Sequence, residues 1–567
     1  MPQLARRVRV AGAIVILLGW ATARADWSTI VNADGWSAFA RFWTSATRPD
    51  LSSDFVRLTW DATLQTLAVA VLGTVVALLL GLAGAVLSSG RTVGSSTLQH
   101  IIASVGAVPR ATHEILVALL LVQVFGFDPL VAVLAIGIPF GAVSAKVFAD
   151  AIDDADRATF DALRSMGASR SRAAVYGIGP LVRAEFTAYG FYRLECAIRS
   201  AAVLGIVGVG GLGFQVDLSF ESLRYREIWT LILALVLLSG AADALSSAVR
   251  RSRRPFPLRW TLALGAVAVT WSAWQAGVST SLLWSERTRR QIVDFGRELV
   301  PPRLGPGGWR ELADATLDTI ALAFLALAIA VVLGLVGAMA ARRTPPMMRS
   351  GSRWFAAARR TIAKLALLLG RAVPAPIWAF LFVLILFPGL WPGAAALGIY
   401  NAGVLGRLFA EAIETQPDDV ERNVGLTGAT SASRWAYGVI PQALPRLVSL
   451  SLYRGEVIVR ETIVIGVVGA GGLGQLLREH LAARDFQAVS GAIIVFVVLA
   501  IAADRLGARL RPASTLSPRD RRAATPSPSE PSRPRDRPVR ATAADRRTDQ
   551  RDRDRRRTSV VNSPHEG

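Results

Sequence analysis

Two stretches of this chain carry charged side chains inside otherwise apolar sequence. The first runs Tyr192-Arg-Leu-Glu195-Cys-Ala-Ile-Arg199-Ser-Ala-Ala-Val-Leu-Gly205-Ile-Val-Gly-Val-Gly210-Gly-Leu-Gly213. The second runs Tyr453-Arg-Gly-Glu456-Val-Ile-Val-Arg460-Glu-Thr-Ile-Val-Ile-Gly466-Val-Val-Gly-Ala-Gly471-Gly-Leu-Gly474. A charge at membrane depth is costly unless it has a partner or faces water, so such residues are functional candidates. Glu195 and Arg199, like Glu456 and Arg460, stand four apart on one helix face and can pair within the helix. A purely structural ion pair is one reading. Arg193 and Arg454 then remain as surplus positive charge, which suits a passing anion. The six charged residues are therefore expected to face one another across a substrate path. Gly210, Gly211, Gly213, Gly471, Gly472 and Gly474 lack the Lys-Ser/Thr ending of a phosphate-binding loop. They are expected to form a close-packed hinge near an outer gate.

The elements that must position these residues are membrane spans. The chain has 567 residues, of which 52% are hydrophobic, more than soluble cores of this size require. The apolar residues lie in blocks such as 64–86, 116–124, 232–238, 320–339 and 493–501. With their flanks, several reach the roughly 20 residues that a spanning helix needs. The net charge of +21 lies largely in short segments between blocks and in the C-terminal tail, the pattern of cytoplasmic loops rather than of a nucleic-acid binder. From Asp504 onward 17 Arg stand against nine acids amid Pro, Ser, Thr and Ala, which predicts a disordered tail, with binding to anionic lipid or RNA as the alternative. The single cysteine, Cys196, reads as a small core residue.

The chain repeats itself. Asp61-Ala-Thr-Leu-Gln-Thr66 is echoed by Asp314-Ala-Thr-Leu-Asp-Thr319, and further along one constant offset of 261 pairs Arg110 with Arg371, Gly167 with Gly428, Tyr176 with Tyr437 and Pro180 with Pro441. The same offset pairs the two charged stretches and their glycine runs. A gapless register of this length marks a duplication and fusion. The predicted organisation is an all-α polytopic membrane protein of two parallel repeats, modules 1–255 (core 55–250) and 256–505 (core 310–505), followed by the tail 506–567. Each module is expected to have about six spans. In the first they lie near 10–21, 62–88, 113–126, 129–147, 184–207 and 228–248. In the second they lie near 260–276, 315–341, 361–387, 391–409, 445–468 and 487–503. Arg6, Arg7 and Arg9 before an apolar run, with Ala23-Arg24-Ala25 after it, also fit a signal peptide. An uncleaved first helix is preferred, because 260–276 occupies the equivalent place in the second module. Arginines at the N-terminus, at 250–254 and at 342–360 put both termini in the cytoplasm. The segment 279–313 disagrees, with six Arg against four acids on the outer side, and is expected to be a surface amphipathic segment.

Between the fourth and fifth spans of each module lies a polar stretch with a shared Gly and Pro. In the first, Asp161-Ala162-Leu163 lies six residues before Gly167, and Pro180 follows thirteen after it. This spacing resembles the "EAA" loop of ABC-importer permeases. In the second, Gly428 and Pro441 fit, but Arg422-Asn423-Val424 stands where the acidic-Ala element belongs, so docking there is expected to be weaker. The resemblance implies that these loops are coupling helices seated in a groove of an ATPase; the bland alternative is an ordinary interfacial helix. The charged stretches, in turn, are similar to the phosphonate branch of these permeases. Arg371-Ala-Val-Pro374 and Arg110-Ala-Thr-His113-Glu114 match a further family pattern only in part and imply no more than cavity lining.

What the resemblance implies is a multi-pass permease of the bacterial inner membrane, carrying phosphonate or a related small oxyanion. Its partners would be a pair of cytoplasmic ABC ATPases, an external solute-binding protein and membrane lipid, with no nucleic acid. No ATP-binding signature is present, so hydrolysis falls to the ATPase; no cofactor or metal is expected. Phosphate, phosphite and methionine permeases are alternatives of the same class. A proton-coupled secondary transporter using Glu195 or Glu456 is the rival from another class, and a structural scaffold is the third.

Overall fold

In the computed structural model the described residues are 12, 15–27, 33–92, 95–251, 258–342, 350–416 and 419–510. Arg6, Arg7, Arg9, Arg253, Arg254, Arg343, Arg349 and the tail beyond residue 510 lie outside them. Every regular element among the described residues is a helix. Helices α1 (Val15–Arg24) and α2 (Ala33–Ser45) lead into α3 (Ser53–Ser88), α4 (Ser96–Val105), α5 (Ala107–Ala111), α6 (Glu114–Phe125) and α7 (Pro129–Asp154). Short helices α8 (Ala158–Ser165) and α9 (Arg170–Ala173) precede α10 (Gly179–Leu204), α11 (Gly211–Glu221) and α12 (Tyr225–Arg251). Next come α13 (Leu258–Ala276), α14 (Glu286–Glu298), α15 (Gly308–Ala341), α16 (Ser350–Ala372), α17 (Ala375–Ile385) and α18 (Leu390–Glu414). The chain then forms α19 (Asp419–Leu426), α20 (Ser431–Arg434), α21 (Ile440–Ile465), α22 (Gly472–Ala482) and α23 (Phe486–Leu510).

From α6 onward the second set reproduces the first at the offset of 261: α6 with α17, α7 with α18, α8 with α19, α10 with α21, α11 with α22 and α12 with α23. The backbone repeats at single residues as well. Gly167 and Gly428 take φ of 89° and 79°, Gly210 and Gly471 take 92° and 87°, and even the non-glycine pair Leu223 and Arg484 takes 53° and 56°.

Five helices are straight, long and apolar enough to cross a membrane: α3, α7, α12 (as 225–249), α15 and α23. Four more candidates are helix pairs bent at a short break. The single spans expected at 113–126 and 361–387 are such pairs, α4–α5 with α6 and α16 with α17, bent by 90° and 95°. The cause is local. Thr112 and His113 are extended, and the His113 ring accepts the Ile115 N–H to start a new helix, while Pro374 is extended at ψ 149° and cannot continue α16. The spans expected at 184–207 and 445–468 continue across their glycine runs into α11 and α22 at bends of 56° and 59°. Helices α1, α13 and α18 occupy the remaining expected positions. In the segment 279–313, α14 is the surface helix expected, capped by Ser285. Hydrogen bonds from Arg289 and Arg290 hold the exposed Glu286 carboxyl below the ordinary carboxylate range.

Small residues let the longest helices approach closely, the usual device where lipid removes the hydrophobic drive for association. On α7, Gly137-Ile-Pro-Phe-Gly141 packs on α3: a Cβ at Gly137 would stand 2.5 Å from Val76 Cγ1 and one at Gly141 2.8 Å from Leu80 Cβ. In the second set, Gly398 packs on Ile329 in the same way.

The two sets also share their cores. Phe42, Phe220 and Trp229 cluster with Val373, Ile377, Trp378 and Leu381, and Ile115 and Leu116 cluster with Ile463 and Val464. The Trp229 indole N–H donates to the Phe42 carbonyl at 2.7 Å and that of Trp378 to the Gly370 carbonyl at 3.3 Å, which satisfies both indole nitrogens that this aromatic cluster buries. Replacing Gly137 by Leu drives a branched side chain into Val76. The expected cost is about 1–3 kcal/mol or more, the range for overpacking, read as a lowered detergent-solubilised melting temperature. An unchanged melting temperature would contradict the close α3–α7 approach.

Candidate functional site

The charged stretches fall on α10 and α21. Side chains of the two come together: Arg199 lies within electrostatic range of Tyr400 and Arg454, and Tyr192 within range of Tyr453. The surroundings of equivalent arginines differ. Arg193 donates from Nε to the Tyr189 hydroxyl at 2.7 Å, and its guanidinium lies 4.9 Å from the Phe140 ring centre and 5.0 Å from that of Tyr189. This is an aromatic cradle for a cation. Arg454 instead donates to Asn401 Oδ1, at the position of Phe140, and to Glu461 Oε1 at 3.0 Å.

The pairing expected within each helix is present in the first stretch, where Arg199 meets Glu195 at 3.3 Å. In the second, Arg460 donates across to the Arg110 carbonyl at 2.9 Å, and Glu456 is seated against α23, where a Cβ on Gly507 would stand 1.8 Å from its Oε1. Arg454 corrects an expectation. It was to be a surplus positive charge, but Glu461, two helical turns on, neutralises it, so the surplus is not symmetric. Glu461 occupies the position of Ser200, which donates to buried Glu114 of α6 at 2.5 Å; the position of Glu114 is Ala375 in α17. Beyond Glu195 and Glu456, each half thus places one further acid at this level, but from different helices. The sequence signal was the lone Glu beside Arg460.

A second set of charges joins the halves. Asp243 of α12 accepts from Arg371 at 3.1 Å and from Arg407 at 3.3 Å, and Arg407 also pairs with Glu411 at 2.9 Å. Neither Asp243 nor Arg407 stands out by motif, and Arg371 stood only in a partial one.

Both glycine runs form bends of the same construction. After a π-turn the chain bends at Gly208 (φ 96°) and Gly210, and α11 starts with its first free N–H groups bonded to α3: Gly211 to Gln65 Oε1 at 2.9 Å and Leu212 to Thr66 Oγ1 at 2.8 Å. Leu473 bonds Thr319 at the same 2.8 Å. This explains the repeated Asp-Ala-Thr-Leu-x-Thr: its threonine caps a re-started helix. In the place of Gln65, Asp318 binds Arg24 of α1 at 2.7 Å. Packing here excludes any side chain, since a Cβ at Gly213 would stand 1.8 Å from the Ala202 carbonyl and one at Gly474 2.4 Å from that of Ile463.

The polar loops form two copies of one surface. Helix α8 ends at Gly167, whose positive φ lets Ala168 N–H reach the Leu163 carbonyl at 3.0 Å, and Asp161 and Ala162 lie on α8 before this turn. No atom lies within 4 Å of a Cβ built on Gly167 or Gly428, so the turn requires glycine by its conformation and leaves its outer face open. Pro180 and Pro441 sit in the first turns of α10 and α21, where a missing N–H costs nothing. Tyr176 and Tyr437 are 72% and 76% exposed beside these turns, which marks an unpartnered aromatic surface. Behind the first loop, Ser89 and Arg91 bind Asp153, and burial, then the neighbouring Arg157, push the Arg91 guanidinium below its ordinary range. Behind the second, Arg342 binds Glu421 and lies over Trp435. Glu421, one position before the missing acidic-Ala element, therefore anchors the loop inward.

Among the described residues no His/Cys/Asp/Glu group could hold a metal ion. A cavity of about 730 Å³ forms an apolar groove between α15, α16 and α18, and none of the six charged residues of α10 and α21 lines it.

Residues 334–515 match the family described as "Binding-protein-dependent transport system inner membrane component". Over 463 residues the chain is 31% identical to the phosphate-import permease protein PhnE of Mycolicibacterium smegmatis, covering 79% of this chain and 84% of that protein. It is 32% identical over 266 residues to the phosphite transport system permease protein PtxC of Stutzerimonas stutzeri, covering 46% of this chain and 92% of that one. Among solved structures, an inward-facing form of the MetNI methionine ABC transporter aligns at 22% identity over 35% of this chain and 96% of that chain, with a TM-score of 0.30.

Replacing Glu461 by Gln leaves the buried Arg454 with only an amide partner. Breaking a buried pair typically costs about 3–5 kcal/mol, so a marked drop in melting temperature is expected. Glu479→Gln, on an exposed part of α22, should change it by less than about 0.5 kcal/mol. Equal effects of the two would show that Arg454 does not depend on Glu461.

Proposed function

This chain belongs to the family of binding-protein-dependent transport inner-membrane components, and we propose that both halves of one translocation path for a small phosphorus oxyanion are supplied by this single polypeptide. The observation that carries the reading is the meeting of α10 and α21, which brings Arg199 of one half within electrostatic range of Arg454 of the other. Arg193, Glu195, Arg199, Arg454, Glu456 and Arg460 line the path in this account. Arg193, held by aromatic rings and with no carboxylate among its closest contacts, offers the stronger attraction to an anion. Arg454, already neutralised, offers a weaker one, so release on that side is easier.

Phosphonate, phosphate and phosphite share a tetrahedral anionic head that a guanidinium can hydrogen-bond. The names of the relatives include phosphate, phosphite and phosphonate, and the charged stretches favour no one of the three. ATP hydrolysis belongs to a separate pair of ABC ATPases docked at the Gly167 and Gly428 loops, and an external solute-binding protein delivers the anion. The glycine hinges at Gly210–Gly213 and Gly471–Gly474 form the outer gate, and α23 ends in the cytoplasm. Modules 1–255 and 256–505 each contribute one side of the path.

Uptake into vesicles carrying this chain with its ATPase is the direct test. Exchanging Arg193 and Arg454 together for Gln, with Glu461→Gln so that no carboxylate is left without its partner, should lower phosphate or phosphonate uptake about tenfold or more, a loss of roughly 1.4 kcal/mol of anion stabilisation. Normal uptake by that triple variant, inserted and bound to its ATPase, would leave these arginines structural.

Docking gives a second expectation. Gly167→Leu and Gly428→Leu each strain a left-handed turn by roughly 1–2 kcal/mol and put a side chain where the ATPase would sit. ATPase co-purification should fall for both and more for the first, because Asp161 is free to meet the partner while Glu421 is held by Arg342. Undiminished co-purification and uptake by Gly428→Leu would remove the second docking site.

A further inference from the structure

Asp243 and its two arginines have exact counterparts in the duplicated register. The offset of 261 carries Asp243 to Asp504, Arg371 to Arg110 and Arg407 to Lys146, so the chain holds two crossed sets, each with its acid in one half and its cations in the other. The sets differ in state. Asp243 is bonded to both arginines, at 3.1 and 3.3 Å, with Arg371 and Asp243 only 15% and 24% exposed. Arg110 lies within electrostatic range of Asp504, but its guanidinium donates to the Ala103 carbonyl at 3.3 Å.

Position gives the bonded set its meaning. Asp243 stands 18 residues into α12, about 27 Å along the axis from its start and near the far end. Arg407 lies near the end of α18, is tied to Glu411 one turn on, and α18 leads directly to α19 of the second docking loop. Arg371 closes α16 at the 95° break. A pull on α19 is therefore transmitted along α18 to Arg407, and the bonds to Asp243 lie between that pull and the separation of the halves. An ion pair of this exposure, with two donors on one carboxylate, resists separation but can be broken when water enters.

We infer that Asp243, Arg371 and Arg407 form an inter-half clasp that closes the path on the side of the docking loops and opens when the loops move. These are positioning residues, not substrate ligands. The assignment rests on the reading of the chain as an ABC permease, but the clasp can be tested without transport. Its counterpart around Asp504 is the looser side, so the two docking loops act on unequal latches.

Cys196, the single thiol of the chain, supplies the readout, because its sulfur lies 3.8 Å from Arg199 Nη2 among the charges that the clasp would shield. In vesicles with the docking-loop side accessible and without ATP, an anionic, membrane-impermeant methanethiosulfonate should label wild-type Cys196 slowly. Asp243→Asn should accelerate labelling about tenfold or more, since removing one partner of a buried pair shifts the closed state strongly. Reversing the pair, Asp243→Arg with Arg371→Asp, should restore slow labelling, which a merely lost packing contact would not. Where Asp243→Asn does not insert, Arg407→Gln, which keeps the Asp243–Arg371 bond, should give a smaller acceleration. Wild-type labelling rates in both single variants, or a reversed pair as fast as Asp243→Asn, overturn the clasp. Uptake of phosphate, phosphite and a phosphonate by the wild type with its ATPase and solute-binding protein is measured in parallel: absence of all three with the labelling pattern intact would overturn the transport reading and leave the clasp.

Discussion

Everything in this molecule is arranged around the cost of charge at membrane depth. Helices α10, α12, α16, α18 and α21 all carry ionised groups in segments that otherwise read as lipid-compatible, and none can stand alone in hydrocarbon. Some are satisfied within a helix, as Arg199 is by Glu195, and some by a ring cradle, as Arg193 is by Tyr189 and Phe140. Others are satisfied across the duplication: Asp243 by Arg371 and Arg407, and Arg460 by the Arg110 carbonyl. The halves are thus held together by polar groups and by shared aromatic packing around Trp229 and Trp378, and the polar groups are the ones that can be switched.

Duplication followed by divergence explains the asymmetry. A pair of identical subunits must present the same residues on both sides of its axis. A fused chain is free to differ, and this one does so at each level: Phe140 against Asn401, Ser200 against Glu461, Glu114 against Ala375, Lys146 against Arg407. The changes compensate. An acid lost from the start of α17 returns on α21, and the docking loop that lacks an acidic-Ala element has Glu421 turned inward on Arg342. On the function proposed above, the consequence is a path with one strong and one weak cation side and two unequal docking loops.

Much of this was legible in the residues. The offset of 261 placed the second set of elements before any coordinate did, because a duplicated fold keeps its register wherever backbone geometry is demanding, as at Gly167 and Gly428. The glycine runs were readable as breaks in their helices, since runs of positive φ admit little else. Three things were not legible. The 90° and 95° bends depend on one or two extended residues, Thr112 with His113 and Pro374, inside segments whose composition fits one straight span. The neutralisation of Arg454 by Glu461 spans two helical turns, beyond the three- and four-residue spacings by which helix pairs are sought. Asp243 looked like an isolated acid near a helix end, because its partners lie 128 and 164 residues away. Its counterpart at Asp504 was the available signal: a lone acid that recurs in register is bound to something.

The central claim is that one chain supplies both sides of a single path. Native mass spectrometry of the purified transporter with its ATPase tests it most directly. The account predicts one copy of this 60.5 kDa chain for every two ATPase subunits. A complex containing two copies of the chain for two ATPase subunits would contradict it, because the cross-half bonds of Asp243 and Arg460 would then join separate molecules.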